Sequence, residues 1–198
     1  MTSAAKKIVR RIRGKGRGWV FTPKDFVDLA TRNNVGVILH RLVDQGVIRQ
    51  IGRGLYDYPV QDDVLGNVAA NSRKIAAAVA RTSGGQLRPT GAQAANAIGL
   101  TTQVPAKIAY VTTGKPKTIR TGRRTIQLRR SMLPATLTHD MAYLVLQALD
   151  NMGPNHVDRK MIDTCINKLS DADKKDIQQN LRYIRNPWLA DVARQLIA

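Results

Sequence analysis

Residues 18–58 read GWVFTPKDFVDLATRNNVGVILHRLVDQGVIRQIGRGLYDY. This stretch contains two short helical patterns a few residues apart. Two β-prone runs follow, residues 47–51 and 55–58, and they flank the tip Gly52-Arg53-Gly54, which predicts a β-hairpin. Two helices followed by a basic hairpin are typical of a winged helix-turn-helix. This fold predicts a protein that reads duplex DNA.

The flanking residues indicate where the helices begin and end. A first helix is expected over residues 3–13. The Thr22-Pro23 pair predicts a second helix over residues 23–30, because the hydroxyl caps its first turn and proline loses no hydrogen bond there. A third helix should begin near Asn33 or Asn34 and end before Gly46.

The third helix has two distinct faces. An apolar stripe at helical spacing would dock the helix on its domain. The opposite face is polar, as a helix in the major groove requires. Arginine can donate twice to guanine, asparagine can do the same with adenine, and valine can touch a thymine methyl. The predicted stripe is Val35, Ile38, Leu39 and Leu42, and the predicted base-reading residues are Asn33, Asn34, Val37, His40 and Arg41.

Basic side chains flank this helix in the sequence. An arginine at a glycine-flanked wing tip suits a narrow, electronegative minor groove or a pair of phosphates, although it could equally be an ordinary solvated loop residue. We assign Arg49 and Arg53 to the wing. Other cations are numerous and follow no pattern, so they are predicted to contact phosphates. They are Lys6, Lys7, Arg10, Arg11, Lys15, Arg17, Lys24 and Arg32.

The charge is segregated along the chain. The 198 residues include 32 Lys and Arg and 14 acidic residues, all of them Asp, which gives a net charge of +18. Residues 1–60 carry +8, residues 61–135 carry +10, and residues 136–198 are neutral. An excess kept only for solubility would not need this segregation. The distribution predicts a polyanion-binding front and a neutral C-terminal module.

The expected fold class is α+β, with two domains. Residues 1–60 are predicted to form the winged helix-turn-helix domain, and residues 61–198 a C-terminal domain. The C-terminal domain should have a basic, mixed α/β part and a neutral helical part. The basic part spans 61–135, with helices over 63–80 and 90–98 and a strand over 106–112; the helical part spans 136–198, with helices near 139–150, 155–168, 171–184 and 187–197.

A second basic hairpin is predicted on either side of Gly122, from strands at residues 117–121 and 125–129. Its side chains could extend the DNA contact, bind RNA or meet an acidic protein, and the sequence leaves these alternatives open. The basic residues concerned are Lys115, Lys117, Arg120, Arg123, Arg124, Arg129 and Arg130.

Several other classes of protein find little support. No apolar run is long enough to span a membrane, and the start of the chain lacks the apolar core of a signal peptide, so we expect a soluble, cytoplasmic protein. The single cysteine, Cys165, excludes an internal disulfide and a cysteine-based zinc site, and we expect it to be buried and inert. The three histidines lack metal-ligand spacing. We therefore expect no metal and no cofactor.

Catalytic signals are weak. Asp171 and Asp173 resemble the paired carboxylates of a metal-dependent nucleotidyltransferase, but no Gly-Ser strand-turn precedes them. Ser170 with Asp173 is better explained as a capping pair that opens a helix. We expect that the protein is not an enzyme.

Three segments together resemble the AbiEi-like antitoxins of type IV toxin–antitoxin systems. They are residues 18–59, PTGAQAANAIGLTTQVPAKIAYVTTG at 89–114, and KTIRTGRRTIQLRRS at 117–131. The resemblance covers roughly residues 5–195. It implies an N-terminal winged helix that represses its own operon by binding inverted repeats. It also implies a C-terminal antitoxin domain that opposes a nucleotidyltransferase-like toxin without a stable complex, in phage defence and in stabilising mobile elements.

Two main hypotheses follow. In the first, the protein is a DNA-binding antitoxin and autorepressor that binds an inverted-repeat operator as a dimer. In the second, it is a plain DNA-binding regulator of a mobile element, and its C-terminal part only oligomerises. An RNA-binding structural protein is a weaker third hypothesis, because aromatic residues make up only 5% of the chain and no aromatic platform motif is present.

Overall fold

A computed structural model describes residues 3–64, 66–102 and 109–198. These residues form an α+β protein, as predicted, and the chain divides into two compact units. The first comprises Met1–Leu87 and Gly114–Leu128, and the second comprises Arg88–Thr113 and Arg129–Ala198. The domain boundary predicted between residues 60 and 61 therefore falls inside the first unit.

Helices and short strands alternate along the chain. In order, they are α1 (Ser3–Lys15), β1 (Val20–Phe21), a 3₁₀ turn (Pro23–Phe26), α2 (Arg32–Asp44), β2 (Arg49–Gly52), β3 (Leu55–Asp57), β4 (Gln61–Asp62), β5 (Gly66–Asn67), α3 (Ser72–Thr82), β6 (Leu87–Arg88), α4 (Gly91–Ala97), β7 (Ala109–Thr112), β8 (Lys117–Thr121), β9 (Arg124–Arg130), α5 (Asp140–Met152), a 3₁₀ turn (Pro154–His156), α6 (Arg159–Ile166), α7 (Asp171–Asn180), a 3₁₀ turn (Leu181–Tyr183) and α8 (Pro187–Ile197).

The first unit begins with the elements of a winged helix. β1, β2 and β3 form an antiparallel sheet in the order β1-β3-β2, and the hairpin β2–β3 is the wing. α1, the first 3₁₀ turn and α2 are the three helical elements, and they occupy the positions along the chain that this fold requires. The first helix, the third helix and the wing hairpin therefore match the sequence prediction closely.

An aromatic and aliphatic core holds this winged helix together. Phe21 and Phe26 are fully buried, and their rings meet edge to face with centroids 5.4 Å apart. Trp19 packs against both rings, at 4.6 Å and 5.9 Å. The predicted apolar stripe of α2 is buried and belongs to the same core, together with Ile8 and Ile12 of α1. Burial of this stripe fixes which face of α2 remains outside.

The predicted second helix is wrong in length, although its start at Thr22-Pro23 is correct. Only Pro23–Phe26 are helical, and they form a 3₁₀ turn. In an α-helix the carbonyl of Asp25 would accept the N–H of Leu29. Here that carbonyl accepts a hydrogen bond from Nη1 of Arg11 at 2.8 Å, and Leu29 bonds to the Phe26 carbonyl instead. A tertiary contact from α1 therefore accompanies the end of the helix after one turn.

The helix predicted over residues 63–80 begins only at Ser72. A short antiparallel pair, β4–β5, occupies the preceding residues. Its turn depends on Asp62, whose side chain accepts the N–H two residues on, and on Gly66, which has a φ of +65°. Asn71 then caps α3 by accepting two backbone N–H groups of its first turn. Turn and cap residues therefore outweighed the alanine-rich composition.

The predicted basic hairpin is confirmed as β8–β9, and it lies in the first unit up to Leu128. Ile119 pairs with Ile126, and both are buried, as is Leu128. Between these apolar residues the basic side chains point to solvent. This alternation anchors the hairpin on one side and leaves its charge on the other.

The second unit is mainly helical. α5 packs against α4, α7 and α8, and its buried residues include Leu146 and Leu149. α4 approaches α5 very closely, because a Cβ at Gly91 would lie 2.1 Å from Cβ of Asn151. The helical character predicted after residue 138 and the short helix over 90–98 are confirmed.

One helix of the second unit starts later than predicted, and one predicted strand is described only in part. The helix expected at 155–168 begins at Arg159, because Asp158 caps it by accepting the N–H of Met161 at 2.8 Å. The strand expected over 106–112 is observed as β7, and its first three positions lie outside the described residues.

Among the described helices, none is long and apolar enough to cross a membrane.

Candidate nucleic-acid interface

The outward face of α2 carries every predicted base-reading residue. Asn33, Asn34, Val37, His40 and Arg41 are all exposed, opposite the buried stripe. Val37 is 50% exposed although it is apolar, which suits contact with a thymine methyl rather than with the core. The fold therefore presents these five side chains together on one accessible helix face.

One pair on this face is bonded internally. Nδ1 of His40 lies 2.9 Å from Oδ2 of Asp44, one helical turn away, and both side chains are largely exposed. The carboxylate of Asp44 would repel phosphates. The first turn of α2, by contrast, carries no acidic residue.

The wing presents Arg53 at its tip. A bulge interrupts the pairing between Gln50 and Gly52, and Gly54 adopts a φ of +65°, which a side chain would disfavour. Arg53 is exposed, and no ion pair involves it within the described part of the chain. An arginine in this position is free to enter a groove or contact phosphates.

Arg49 plays a different part from the one that the sequence predicts. It donates to both carboxylate oxygens of Asp57, from Nε at 3.0 Å and from Nη2 at 2.6 Å, and Nη2 also donates to the Val68 carbonyl. The Asp57 side chain is only 2% exposed, and hydrogen bonding to it raises the pKa of Arg49. Arg49 therefore compensates a buried charge. The hairpin register places Arg49 opposite Asp57.

The cations predicted to contact phosphates fall into two groups. In the first, the side chains are exposed and make no ion pair within the described residues; this group is Lys6, Lys7, Arg10, Lys15 and Arg32. In the second, the side chains are bonded within the protein; this group is Arg11, Arg17 and Lys24. The first group is the better set of candidates for phosphate contacts.

Arg11 joins α1 to the segment after the 3₁₀ turn. Its guanidinium donates to both carboxylate oxygens of Asp28, at 2.7 and 2.6 Å, in a bidentate pair. This hydrogen bonding raises the pKa of Arg11 and lowers the pKa of Asp28. The pair joins α1 to the segment that precedes α2. Because its guanidinium is already bonded, Arg11 is not assigned to the interface.

Arg17 and Lys24 are held by backbone carbonyls. Arg17 donates to Pro59 at 2.9 Å, and its guanidinium lies 5.0 Å from the ring centre of Tyr58. Lys24 donates to the carbonyl of Thr82 at 2.7 Å, at the end of α3. Sequence reasoning did not anticipate these contacts, because each joins residues that are far apart in the chain.

The basic hairpin lies next to the wing in the first unit. β2 contacts β8, and a Cβ at Gly52 would lie 3.5 Å from the carbonyl oxygen of Arg120. Lys117, Arg120 and Arg123 are exposed. Arg124 donates to the Ala70 carbonyl at 3.4 Å. Part of the hairpin charge therefore extends the basic surface that begins at the wing tip.

Several other basic positions named from the sequence flank this hairpin. Lys115 precedes it and is exposed, and Arg129 and Arg130 end β9 and are also exposed. Arg129 and Arg130 belong to the second unit. Arg129 and Arg130 are therefore not part of the basic surface of the first unit.

Two carboxylates of the second unit, those of Asp173 and Asp176, are buried and hydrogen-bonded within it. Ser170 and Asp173 form a capping box at the start of α7, as predicted. Burial would raise the pKa of Asp173. Hydrogen bonds from Ser170 and from the backbone of Ala142, together with the electrostatic interaction with His139, outweigh it and lower the pKa. Asp176 accepts the N–H groups of Thr138 and His139, at 2.9 and 2.8 Å, just before α5. These contacts account for both carboxylates.

Cys165 is buried, as predicted, and its burial raises the pKa of the thiol to about 11, so little thiolate is present at neutral pH. Across residues 3–64, 66–102 and 109–198, no group of three or more His, Cys and Asp side chains is arranged to hold a metal ion.

Comparison with known proteins gives a family but no activity. The profile of DUF6088, a family of unknown function, matches residues 7–177, so the chain belongs to this family. A comparison with curated proteins finds no match. The antitoxin role implied by the sequence resemblance therefore stays a prediction.

Proposed function

We propose that the protein binds duplex DNA in a sequence-specific manner, with α2 in the major groove and the wing tip on the adjacent backbone or minor groove. The observation that carries this proposal is the outward face of α2. Its polar and apolar side chains are exposed as one set, opposite a fully buried stripe, in a chain with a net charge of +18.

The exposed residues contribute in different ways to this proposal. Arg41 donates to the two acceptors of a guanine, and Asn33 or Asn34 forms paired hydrogen bonds with an adenine. Val37 contacts a thymine methyl. Arg53 enters the narrow groove beside the reading helix or contacts its phosphates. The unpaired cations of α1 contact phosphates and set the position of the domain without reading sequence.

Replacing Arg41 by Ala should weaken binding to the preferred site by about 1–3 kcal/mol and relax the preference at one base pair. The reason is that a bidentate arginine contact discriminates guanine from the other bases. The preferred site would first be selected from a random duplex pool. Fluorescence anisotropy would then measure affinity for that site and for its single-base variants.

Two control variants make this measurement specific. Lys7→Ala should weaken all duplexes alike, because a phosphate contact carries no sequence information. Arg194→Ala removes the same charge from α8 in the second unit and should leave the affinity nearly unchanged. If Arg41→Ala retains both the affinity and the base preference of the parent protein, α2 does not read the groove.

The biological role that we propose is that of a cytoplasmic antitoxin that represses its own operon. This role follows from the resemblance to AbiEi-like antitoxins. The exposed face of α2 supports one part of it, which is DNA binding through a winged helix. The operator would be an inverted repeat bound by two copies, with half-sites separated by whole turns of roughly 10–10.5 base pairs. The opposing toxin would be nucleotidyltransferase-like and would not form a stable complex.

Co-expression of the full chain with a nucleotidyltransferase encoded beside it should restore growth to cells that the toxin arrests. The full chain is required, because a cut after residue 60 would divide the first unit. Arg41→Ala should still protect, since the resemblance places antitoxicity outside the winged helix. If the full chain binds its operator and yet gives no protection, the plain regulator of a mobile element becomes the better description.

A further inference from the structure

A cavity of about 590 Å³ lies in the first unit, beside the wing. The 3₁₀ turn, the wing tip, the end of α3 and strand β8 supply its walls. Its volume falls within the roughly 300–1,000 Å³ that is usual for small-molecule sites. All of its lining residues belong to the first unit, so this unit forms it alone.

The rim of this cavity is strongly basic. No aspartate is among its lining residues, and five lining residues are cationic, namely Lys24, Arg32, Arg53, Lys117 and Arg120. They come from separate segments of the chain that the fold brings around one opening. Such convergence of arginine and lysine is the usual way to bind phosphate groups.

These charges are poorly compensated by the protein itself. The three carboxylates nearest to these cations in the sequence are already paired: Asp25 with Arg81 at 3.2 Å, Asp28 with Arg11 at 2.6 Å, and Asp57 with Arg49 at 2.6 Å. Lys24 donates to a backbone carbonyl. For the other four cations, the described residues provide neither an ion pair nor a hydrogen-bond partner. An anionic ligand would supply what the protein does not.

The cavity also has an apolar surface. Leu55, Val79 and Ile119 line it and are buried within the fold, and Val27 lines it while remaining 59% exposed. A bare phosphate or a stretch of DNA backbone would leave this surface unfilled. A molecule with both a flat apolar ring and a phosphate chain would cover both kinds of surface.

We propose that this cavity binds a nucleotide-sized phosphorylated molecule, with its phosphates on the basic rim and its ring against the apolar wall. Bound ligand weakens DNA binding, and this second part rests on the proposed function. The reason is that Arg53 and Arg32 line the cavity and also belong to the proposed DNA interface. A ligand and a duplex that need the same two arginines exclude each other, and the coupling is reciprocal.

Isothermal titration calorimetry of the full chain, without DNA, tests the binding site. With ATP as the probe, at an ionic strength of about 0.15 M, we expect saturable binding of one molecule per chain. Adenosine lacks the phosphates, and tripolyphosphate lacks the ring. Each should bind at least about tenfold more weakly than ATP if both surfaces contribute. Tripolyphosphate binding as tight as ATP would overturn the role of the apolar wall.

Three variants distinguish ATP binding in this cavity from nonspecific attraction of ATP to a basic protein. Arg120→Ala should weaken ATP binding about tenfold, because it removes a charge-assisted hydrogen bond. Val27→Asp places a carboxylate in the cavity at an exposed position and should abolish binding without disturbing the core. Arg194→Ala, which removes a charge from α8 outside the cavity, should bind like the parent protein. Failure of ATP to bind, or equal loss in all three variants, would overturn the site.

A competition experiment tests the coupling. ATP should raise the protein concentration needed to half-saturate the selected duplex, and it should have no such effect on Val27→Asp. If the protein binds no duplex, the proposed function fails while the calorimetric result still stands. If ATP and duplex bind together with unchanged affinities, the competition is wrong although the site remains.

Discussion

The affinity of the protein for its operator should fall roughly 10³–10⁵-fold as the salt concentration rises from 50 to 200 mM, provided that six to ten phosphates are neutralised. Each neutralised phosphate releases condensed counterions, and added salt opposes that release. This is the largest effect that we expect on DNA binding, because the chain carries 32 Lys and Arg against 14 Asp.

The structure suggests which cations contribute to this dependence. Three of the predicted phosphate contacts are bonded within the protein, and Arg49 is paired with Asp57. Six candidates remain exposed and without an ion pair among the described residues: Lys6, Lys7, Arg10, Lys15, Arg32 and Arg53. If all six reach phosphates, a plot of log affinity against log salt should have a slope of about −5, from about −0.9 per phosphate.

The measurement is a series of anisotropy titrations across salt concentrations. Lys7→Ala should reduce the magnitude of the slope by about 1, whereas Arg11→Ala should leave it nearly unchanged, because Arg11 is committed to Asp28. An affinity that hardly changes with salt would show that the net charge serves something other than DNA. A slope that falls equally in both variants would show that the ion pair opens on binding.

Local sequence signals predicted the elements that depend on nearby residues. The stripe of α2 follows helical spacing, and its four residues are buried. The hairpin around Gly122 and the capping box of Ser170 with Asp173 were also predicted correctly. In each of these, the residues that determine the structure lie within a few positions of one another, so one sequence suffices to find them.

Two of the features that were missed depend on distant residues, whereas the late start of α3 depends on local ones. The second helix ends after one turn where its carbonyl meets Arg11, which lies on α1. Helix α3 starts late because of turn and cap residues that compete with a helix-forming composition. The grouping of β8–β9 with the winged helix is likewise a tertiary contact between remote segments. Pattern and propensity do not contain such information.

The candidate site shows the same division. That α2 has one polar outward face was predictable from periodicity alone. Two other features could be found only in the folded structure. Arg49 is paired with a buried carboxylate, and five cations surround a cavity with an apolar wall. Exposure could be predicted residue by residue, whereas pairing and convergence could not.

Replacing Phe26 by Ala should lower the free energy of unfolding by about 3–5 kcal/mol, the usual cost of truncating a fully buried phenylalanine. Phe26 is 0% exposed and is the buried residue of the 3₁₀ turn that contacts α2. Its ring packs edge to face with those of Phe21 and Trp19, at 5.4 and 5.9 Å. The cavity left by the substitution would lie directly beneath the helix that we propose reads DNA.

Urea denaturation followed by tryptophan fluorescence would measure this change. The chain has two tryptophans, Trp19 in the first unit and Trp188 in the second, so a Trp188→Phe background restricts the signal to the first unit. Val27→Ala, at the adjacent exposed position, should change the stability by no more than about 0.5 kcal/mol. A similarly small change for Phe26→Ala would mean that the aromatic cluster does not hold the winged helix together. In that event another set of contacts must position α2.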